Sequence, residues 1–154
     1  MKKILFLHGL ESMPGGAKPR FLQKHGYVVL NPKLPKSSFK ESVKISQDLI
    51  DLEMPDLVVG SSRGGAIAMA CNPGNAGMVL IAPAWKRFGI SKDTGDHGSI
   101  LHCENDQIVD YDDSVQLSSH NDMNLIKCGS CHRMNDPDAL DALLDVTRWY
   151  IGNP

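Results

Sequence analysis

The chain has 154 residues, the size of one domain and too few for two independent hydrophobic cores. Its hydrophobic fraction of 42% and charged fraction of 22% are those of an ordinary soluble globular protein, so extensive disorder is not expected. A formal net charge of -2, without a stripe of lysine and arginine, gives no electrostatic reason to bind nucleic acid or an anionic membrane. We therefore expect a single domain over residues 1–154 that acts on a small molecule.

The chain opens with MKKILFLHGL, which imitates a secretory signal. Its apolar run covers only residues 4–7, whereas a signal segment needs about 7 to 15 apolar residues. No other stretch approaches the roughly 20 apolar residues that a membrane span requires. We therefore expect a cytoplasmic protein, in which the four cysteines remain reduced instead of forming a disulfide framework.

Six short apolar runs alternate with longer segments of helical character. The runs lack a strict alternation of apolar and polar residues, as expected for the strands of a parallel sheet that helices cover on both faces. The predicted strands are 4–7, 27–30, 56–60, 77–82, 99–103 and 123–128.

Five helices are predicted between and after these strands. They are 17–25, 39–52, a small-residue helix from Arg63, 112–119 and a last helix from Pro137. Ser38 and Glu41 form a possible capping box for the second helix, and Asp136 is the expected N-cap of the last. The pattern predicts an α/β protein with one doubly wound, mostly parallel sheet of about six strands. Ligand sites in such sheets form beyond the carboxyl ends of the strands.

The loop after the third predicted strand contains Gly60-Ser61-Ser62-Arg63-Gly64, a G-x-S-x-G sequence. Between a strand and a helix, this motif is typical of a sharp, strained turn that presents the central serine above the sheet edge. Ser62 is therefore a candidate nucleophile. The alternative is an ordinary glycine-rich turn, such as one that holds phosphate, although the stretch lacks the G-x-x-x-x-G-K-[ST] pattern of a phosphate loop.

In this motif the sequence resembles the α/β-hydrolase family, and three other segments carry the same resemblance. The first is His8-Gly9-Leu10, which follows the first strand and is similar to the family's HG loop. The resemblance implies an oxyanion hole made by the backbone N–H groups of Leu10 and Arg63. It favours a structural hydrogen-bonding role for the His8 side chain over that of a base.

The second segment is LHCENDQIVDYDDS at 101–114, which resembles the family's acid loop, where an aspartate precedes a valine by three residues. Asp106 and Val109 match this pattern, so the resemblance implies that Asp106 orients the catalytic histidine. On composition alone, other carboxylates of the loop compete for the role; they are Glu104, Asp110, Asp112 and Asp113.

The third segment is GSCHRMNDPDALDALLDVTRWYIG at 129–152, which resembles the family's ending of a glycine-containing loop, a histidine and a last helix. The resemblance places His132 as the base. The chain order Ser62, Asp106, His132 is then the family's order of nucleophile, acid and base.

The same stretch contains C-x-x-C-H at 128–132, which has two other interpretations. One is haem attachment through Cys128 and Cys131 with His132 as iron ligand, but no signal segment for export is recognised. The other is a redox pair of the two cysteines, but this C-x-x-C does not open a helix as a thioredoxin-type motif does. The favoured interpretation is two ordinary thiols beside a catalytic histidine.

Only residues 83–98 lie between the fourth and fifth predicted strands, where larger relatives insert a lid domain. A minimal fold without a lid and with an open site is therefore expected. The overall length, HGLESMPGGAK and GSSRGG most resemble the small lidless bacterial esterases of the YqiA type. His8 and Trp85 are candidate substrate contacts; Trp85 and Phe88 of this segment either form a wall of the site or simply pack in the protein. The Arg63 side chain is interpreted either as an attractor of an anionic substrate or as a solvated residue at a helix start.

The resemblance implies a serine hydrolase that cleaves a small carboxylic ester or thioester through an acyl-enzyme intermediate. Its catalytic residues would be Ser62, His132 and Asp106, and it would need no metal and no organic cofactor. The competing hypothesis is a non-catalytic protein of the same fold that binds a partner or ligand in the cleft. The sequence leaves the oligomeric state undetermined.

Overall fold

Short buried apolar runs form six strands, which pair in parallel into one sheet. The computed structural model describes residues 1–10, 12–93 and 98–154. Within these residues the strands are β1 Lys3–Leu7, β2 Val28–Leu30, β3 Leu57–Ser61, β4 Gly77–Ile81, β5 Ser99–His102 and β6 Asn124–Lys127. Every strand therefore begins and ends within one residue of its predicted position.

Five helices in the described ranges connect the strands and follow the last of them. They are α1 Ala17–Lys24, α2 Phe39–Glu53, α3 Arg63–Ala70, α4 Tyr111–Asn121 and α5 Pro137–Ile151. The two predicted N-caps are confirmed: Ser38 Oγ accepts the Glu41 N–H at 3.0 Å, and the Asp136 carboxylate accepts the Ala139 N–H at 3.4 Å. The fourth helix is longer than predicted and starts after an N-cap aspartate, Asp110.

The strand order in the sheet is β2-β1-β3-β4-β5-β6, and each neighbouring pair is parallel. Strands β1 and β3 are adjacent, and the chain builds the sheet outward from them in opposite directions. Such a reversal opens a crevice at the carboxyl ends of the two strands. The loop after β1 and the turn after β3 therefore meet at one place.

Alternate residues of each strand point to opposite faces of the sheet and build two separate cores. Ile4 and Phe6 of β1 belong to the core that is shared with α1 and α5. Leu5 and Leu7 belong to the core that is shared with α2, α3 and α4. The predicted α/β class, with helices on both faces of a parallel sheet, is thus confirmed.

The segment between β4 and β5 has little regular structure where it is described. Residues 83–93 and 98 contain neither a helix nor a strand, and residues 94–97 lie outside the described residues. No lid element is therefore present in the described part of this segment.

Among the helices of the described residues, none is long and apolar enough to cross a membrane.

Candidate active site

The turn between β3 and α3 holds Ser62 in an unusual backbone conformation. Its φ of 56° and ψ of -114° lie outside the regions that residues other than glycine ordinarily adopt. Such strain costs about 1 to 3 kcal/mol and persists only where the surrounding structure imposes it. Here the Ser62 N–H donates to Ile81 O at 2.8 Å, and the Ser62 carbonyl accepts the N–H groups of Gly65 and Ala84, each at 3.0 Å. These bonds hold the serine at the tip of the turn.

Two glycines of the motif allow this turn to pack against the sheet. A Cβ atom on Gly60 would lie 2.3 Å from Gly64 O, and a Cβ atom on Gly64 would lie 2.0 Å from Leu7 O. Both contacts are with backbone atoms, so no side-chain movement could relieve them. The close approach of α3 to β1 and β3 therefore requires glycine at both positions.

The loop after β1 packs against the turn that carries Ser62. A Cβ atom on Gly9 would lie 3.4 Å from Ser62 Cβ, which shows how close the loop comes. In the part of the chain that the structure describes, neither the Leu10 N–H nor the Arg63 N–H donates to another protein group. Both amides are therefore free to donate to an oxygen atom of a bound molecule.

Ser62, His132 and Asp106 form a continuous hydrogen-bonded row. Ser62 Oγ lies 2.9 Å from His132 Nε2, and His132 Nδ1 lies 2.6 Å from Asp106 Oδ2. An ionised carboxylate can only accept, so Nδ1 carries the proton and Nε2 of the neutral ring accepts the Ser62 hydroxyl. The His132 side chain is 19% exposed, whereas that of Asp106 is 0% exposed. His132 is thus placed to remove the Ser62 proton, and Asp106 is placed to stabilise the resulting imidazolium.

The Asp106 carboxylate accepts four hydrogen bonds. Oδ1 accepts the N–H groups of Ile108 at 2.7 Å and Val109 at 2.8 Å, while Oδ2 faces nitrogens of both His132 and His102. Burial acts to raise the pKa of Asp106, but the bonds from Val109, His132 and Ile108 together outweigh it and hold the pKa below its usual value. The carboxylate is therefore ionised and fixed in one orientation.

His102, at the end of β5, is a site residue that sequence reasoning missed. Its ring is completely buried, and Nε2 lies 3.0 Å from Asp106 Oδ2 and 3.1 Å from Val109 O. Both of these atoms are acceptors, so Nε2 donates and Nδ1 accepts the Ser114 hydroxyl at 2.6 Å. Burial lowers the pKa of His102, against the raising effect of Asp106. The sequence signal that could have identified His102 was its position at the end of a predicted strand, four residues before the candidate acid Asp106.

Replacing His102 with glutamine is expected to reduce the loss of stability on acidification. Because the folded pKa lies below the ordinary value of 6.5, the unfolded chain binds the proton more readily. Wild-type stability is therefore retained above about pH 6.5 and lost as the pH falls through the folded pKa. Glutamine keeps one donor and one acceptor but does not titrate. Urea unfolding of both proteins between about pH 7.5 and 5 tests this, and parallel curves would contradict it.

The polar ring atoms of the two candidate substrate contacts, His8 and Trp85, have hydrogen-bond partners inside the protein. His8 is 5% exposed; its Nδ1 donates to Gly9 O at 2.8 Å and its Nε2 accepts the Leu34 N–H at 3.0 Å. Trp85 is 5% exposed, packs in the core beside α2, α3 and α4, and donates from Nε1 to Asp113 O at 3.1 Å. Neither ring has a free polar atom, so neither is placed to form a new hydrogen bond with a substrate; His8 does line a small cavity at the start of α1, and its assignment as a substrate contact stays a prediction.

The Arg63 side chain is 2% exposed. Both sequence-based interpretations of this side chain, a solvated residue and an attractor of an anionic substrate, are therefore wrong. Its Nη2 donates to Pro35 O at 2.9 Å and to Ser42 Oγ at 3.3 Å. Its Cζ lies 5.7 Å and 5.8 Å from the ring centroids of Phe39 and Phe88. The two oxygens and the two aromatic rings compensate the guanidinium charge inside the protein. Only the backbone N–H of Arg63 remains available beside Ser62.

Cys128 and Cys131 differ in their environments. Cys128 is buried, and burial is the main cause that raises the pKa of its thiol to about 11, whereas Cys131 is exposed. Both ring nitrogens of His132 are bonded, to Asp106 and to Ser62, so neither is available to an iron ion. These observations favour the interpretation of two ordinary thiols. In the described ranges, no group of three or more His, Cys, Asp or Glu side chains is placed to hold a metal ion.

A cavity of about 390 Å³ opens beside Ser62 and His132. Its volume is within the range of small-molecule sites. The other described residues that line it are Gly9, Ser12, Lys18, Ser61, Ile108, Arg133 and Asn135.

No protein-family profile matches the chain, and no curated protein sequence matches it. The structure is similar to alpha/beta hydrolase domain-containing protein 10 from mouse, with a TM-score of 0.80, 16% sequence identity, and coverage of 97% of this chain and 89% of that chain. It is also similar to a predicted CIB-like hydrolase from Thermoplasma acidophilum, with a TM-score of 0.75, 18% identity, and coverage of 99% and 87%. For Est1E from Butyrivibrio proteoclasticus the TM-score is 0.77, the identity 14%, and the coverage 97% and 86%.

At such low sequence identity, these similarities establish the fold. The chain has the α/β-hydrolase fold, in a form with six parallel strands and five helices among the described residues. The comparisons do not separate the YqiA type from other members of this fold, so the narrower resemblance remains a prediction.

Proposed function

We propose that the protein is a serine hydrolase that cleaves a small carboxylic ester or thioester through an acyl-enzyme intermediate. The observation that carries this proposal is the row Ser62, His132 and Asp106, in which the two hydrogen bonds measure 2.9 Å and 2.6 Å. The α/β-hydrolase fold supports it, since the similar structures from mouse and Thermoplasma acidophilum are named as hydrolases.

In the first half of the proposed reaction, Ser62 Oγ attacks the carbonyl carbon while His132 Nε2 takes its proton. The negative charge that develops on the carbonyl oxygen is stabilised by the N–H groups of Leu10 and Arg63. Loss of one such donor typically costs about 3 kcal/mol of transition-state stabilisation. Asp106 stabilises the imidazolium and keeps the ring in the required tautomer.

The imidazolium then gives its proton to the leaving oxygen or sulfur as the bond from that atom to the carbonyl carbon breaks. The acyl group remains on Ser62. In the second half, His132 takes a proton from water, the water oxygen attacks the acyl carbon, and the Ser62 oxygen leaves with a proton from His132. Water is thus the only co-reactant.

The cavity favours a small substrate. Its volume of about 390 Å³ and the lack of a lid element in the described residues leave little surface to enclose a long acyl chain. Ile108, which is 63% exposed, supplies an apolar wall beside Ser62 and His132. A short acyl group could pack against this side chain.

Labelling with a fluorophosphonate probe tests the proposed function. We expect mass spectrometry to locate the label on Ser62 of the wild-type protein, because only a serine activated by a base reacts rapidly with such a probe. The label should disappear in Ser62→Ala and be almost absent in His132→Ala. A matched control is Ser61→Ala, which removes the neighbouring hydroxyl and should keep the label.

Far-UV circular dichroism shows whether each variant is folded. If the wild-type protein is folded but remains unlabelled, the serine hydrolase mechanism is wrong. A ligand-binding protein with the same fold would then be the better interpretation.

A further inference from the structure

A second chamber lies next to the cavity beside Ser62 and shares lining residues with it. The first chamber, of about 390 Å³, contains Ser62 and His132 in its lining, and the second, of about 160 Å³, extends along the start of α1. Lys18 of α1 lines both chambers, as do Ser12 and Asn135. Lys18 therefore borders the space that a substrate bound at Ser62 would occupy.

The ammonium group of Lys18 has only neutral partners among the described residues. Its Nζ donates to Arg133 O at 2.7 Å and to Asn135 Oδ1 at 2.9 Å. No ion pair joins it to a carboxylate in the described ranges. An ammonium group has three N–H donors, so one donor remains for a ligand.

The charge on Lys18 is poorly compensated where it lies. The side chain is half-buried, and burial lowers the pKa of Lys18 to about 8, while Cys131 acts to raise it and Arg133 to lower it further. A partly desolvated cation that has only neutral partners in the described ranges is less stable than one paired with an anion, and a bound anion would offset part of that cost.

The described lining of the two chambers also has an uneven charge. It contains two cationic side chains, Lys18 and Arg133, and no aspartate or glutamate. Arg133 is exposed at the first chamber, next to the catalytic His132 in the chain. These two cations would attract a negatively charged group and repel a positively charged one.

We infer that the site selects esters that carry a carboxylate or another anionic group a few atoms from the scissile carbonyl, with Lys18 as the residue that binds the anion. This inference rests on the proposed hydrolase function and specifies its substrate class. It assigns to Lys18 the contact with the anion and to Arg133 a weaker, longer-range attraction, because Arg133 is the more exposed of the two.

The test compares two pairs of esters that differ in one negative charge. One pair is p-nitrophenyl butyrate and p-nitrophenyl hemisuccinate, in which the charge is on the acyl group. The other is phenyl acetate and 4-carboxyphenyl acetate, in which it is on the leaving group. We expect kcat/KM, corrected for the rate of alkaline hydrolysis, to favour the charged member of at least one pair by about tenfold or more. The preference should shrink in high salt.

Lys18→Gln is expected to abolish most of this preference, and Lys18→Arg is expected to retain it. The readout is the ratio of kcat/KM between the charged and neutral ester, which a general loosening of the site would leave unchanged. Lys24→Gln removes a charge from the exposed end of the same helix and is the matched control, for which the ratio should equal that of the wild type.

A ratio that is the same in the wild type and in Lys18→Gln, for both pairs, would overturn the inference about Lys18. If Ser62 reacts with the fluorophosphonate and the neutral esters are hydrolysed without any charge preference, the anionic substrate class is wrong while the hydrolase function stands. If Ser62 is not labelled and no ester is cleaved, the proposed function and this inference fail together.

Discussion

Asp106→Asn is expected to lower kcat for ester hydrolysis by about four orders of magnitude while the protein remains folded. The reason lies in the four donors around this side chain. Two backbone N–H groups, those of Ile108 and Val109, face Oδ1 and would select the amide oxygen of asparagine at that position. The amide NH₂ would then occupy the place of Oδ2, where His132 and His102 both donate.

A donor at that place reverses the tautomer of the base. His132 could then avoid a clash of donors only by accepting at Nδ1, and the proton would move to Nε2. A protonated Nε2 cannot remove the Ser62 proton, so the first step is blocked.

The measurement is kcat with p-nitrophenyl acetate, together with far-UV circular dichroism of the variant. Asp112→Asn is the matched control, because Asp112 is exposed in the first turn of α4 and accepts a bond from Gln116 at 2.8 Å. It should retain wild-type activity. A reduction of less than about tenfold in Asp106→Asn would show that Asp106 does not set the tautomer of His132.

Gly64→Ala is expected to destabilise the protein by about 4 kcal/mol or more, enough to leave little folded material. The added Cβ atom would lie 2.0 Å from Leu7 O, 2.6 Å from Leu7 C and 2.8 Å from His8 O. All three are backbone atoms of β1 or of the loop that follows it. The methyl group can be accommodated only if α3 moves away from the sheet, which would also displace Ser62.

Thermal unfolding and the yield of soluble protein measure this effect. A decrease of about 10 °C or more in Tm is expected. Gly16→Ala is the matched control, since a Cβ atom at Gly16 would have its nearest neighbour at 3.8 Å and the residue has a negative φ. Similar Tm values for the two variants would mean that α3 does not approach β1 as closely as the structure shows.

The order of the elements and the position of the site could be predicted from the sequence, and the reason is physical. In a parallel α/β sheet every strand runs the same way, so loops that follow the strands gather at one edge. Ser62 follows β3, Asp106 follows β5 and His132 follows β6, and the structure brings all three within hydrogen-bonding distance in one row. Their separation along the chain therefore did not hide their proximity.

The side chains that surround this row were less predictable. The sequence pattern around Arg63 predicts a cationic residue at the start of a helix. The burial of the Arg63 side chain depends on Phe39, Phe88 and Pro35, which come from other parts of the chain. Trp85 is similar, since its loop position suggested a cavity wall and its packing placed it in the core. In both cases distant segments decided the environment of one side chain.

The amino-acid sequence by itself determined the α/β class, the boundaries of the strands to within one residue, and the three residues that form the hydrogen-bonded row. These features depend on local composition, on chain order and on the common direction of parallel strands. Only the tertiary structure decided that His102 donates to Asp106, that Arg63 is buried and that Lys18 lines the same cavity as Ser62 without an anionic partner among the described residues. Each of these depends on which side chains from distant segments face one another, and no local pattern in the chain encodes that contact.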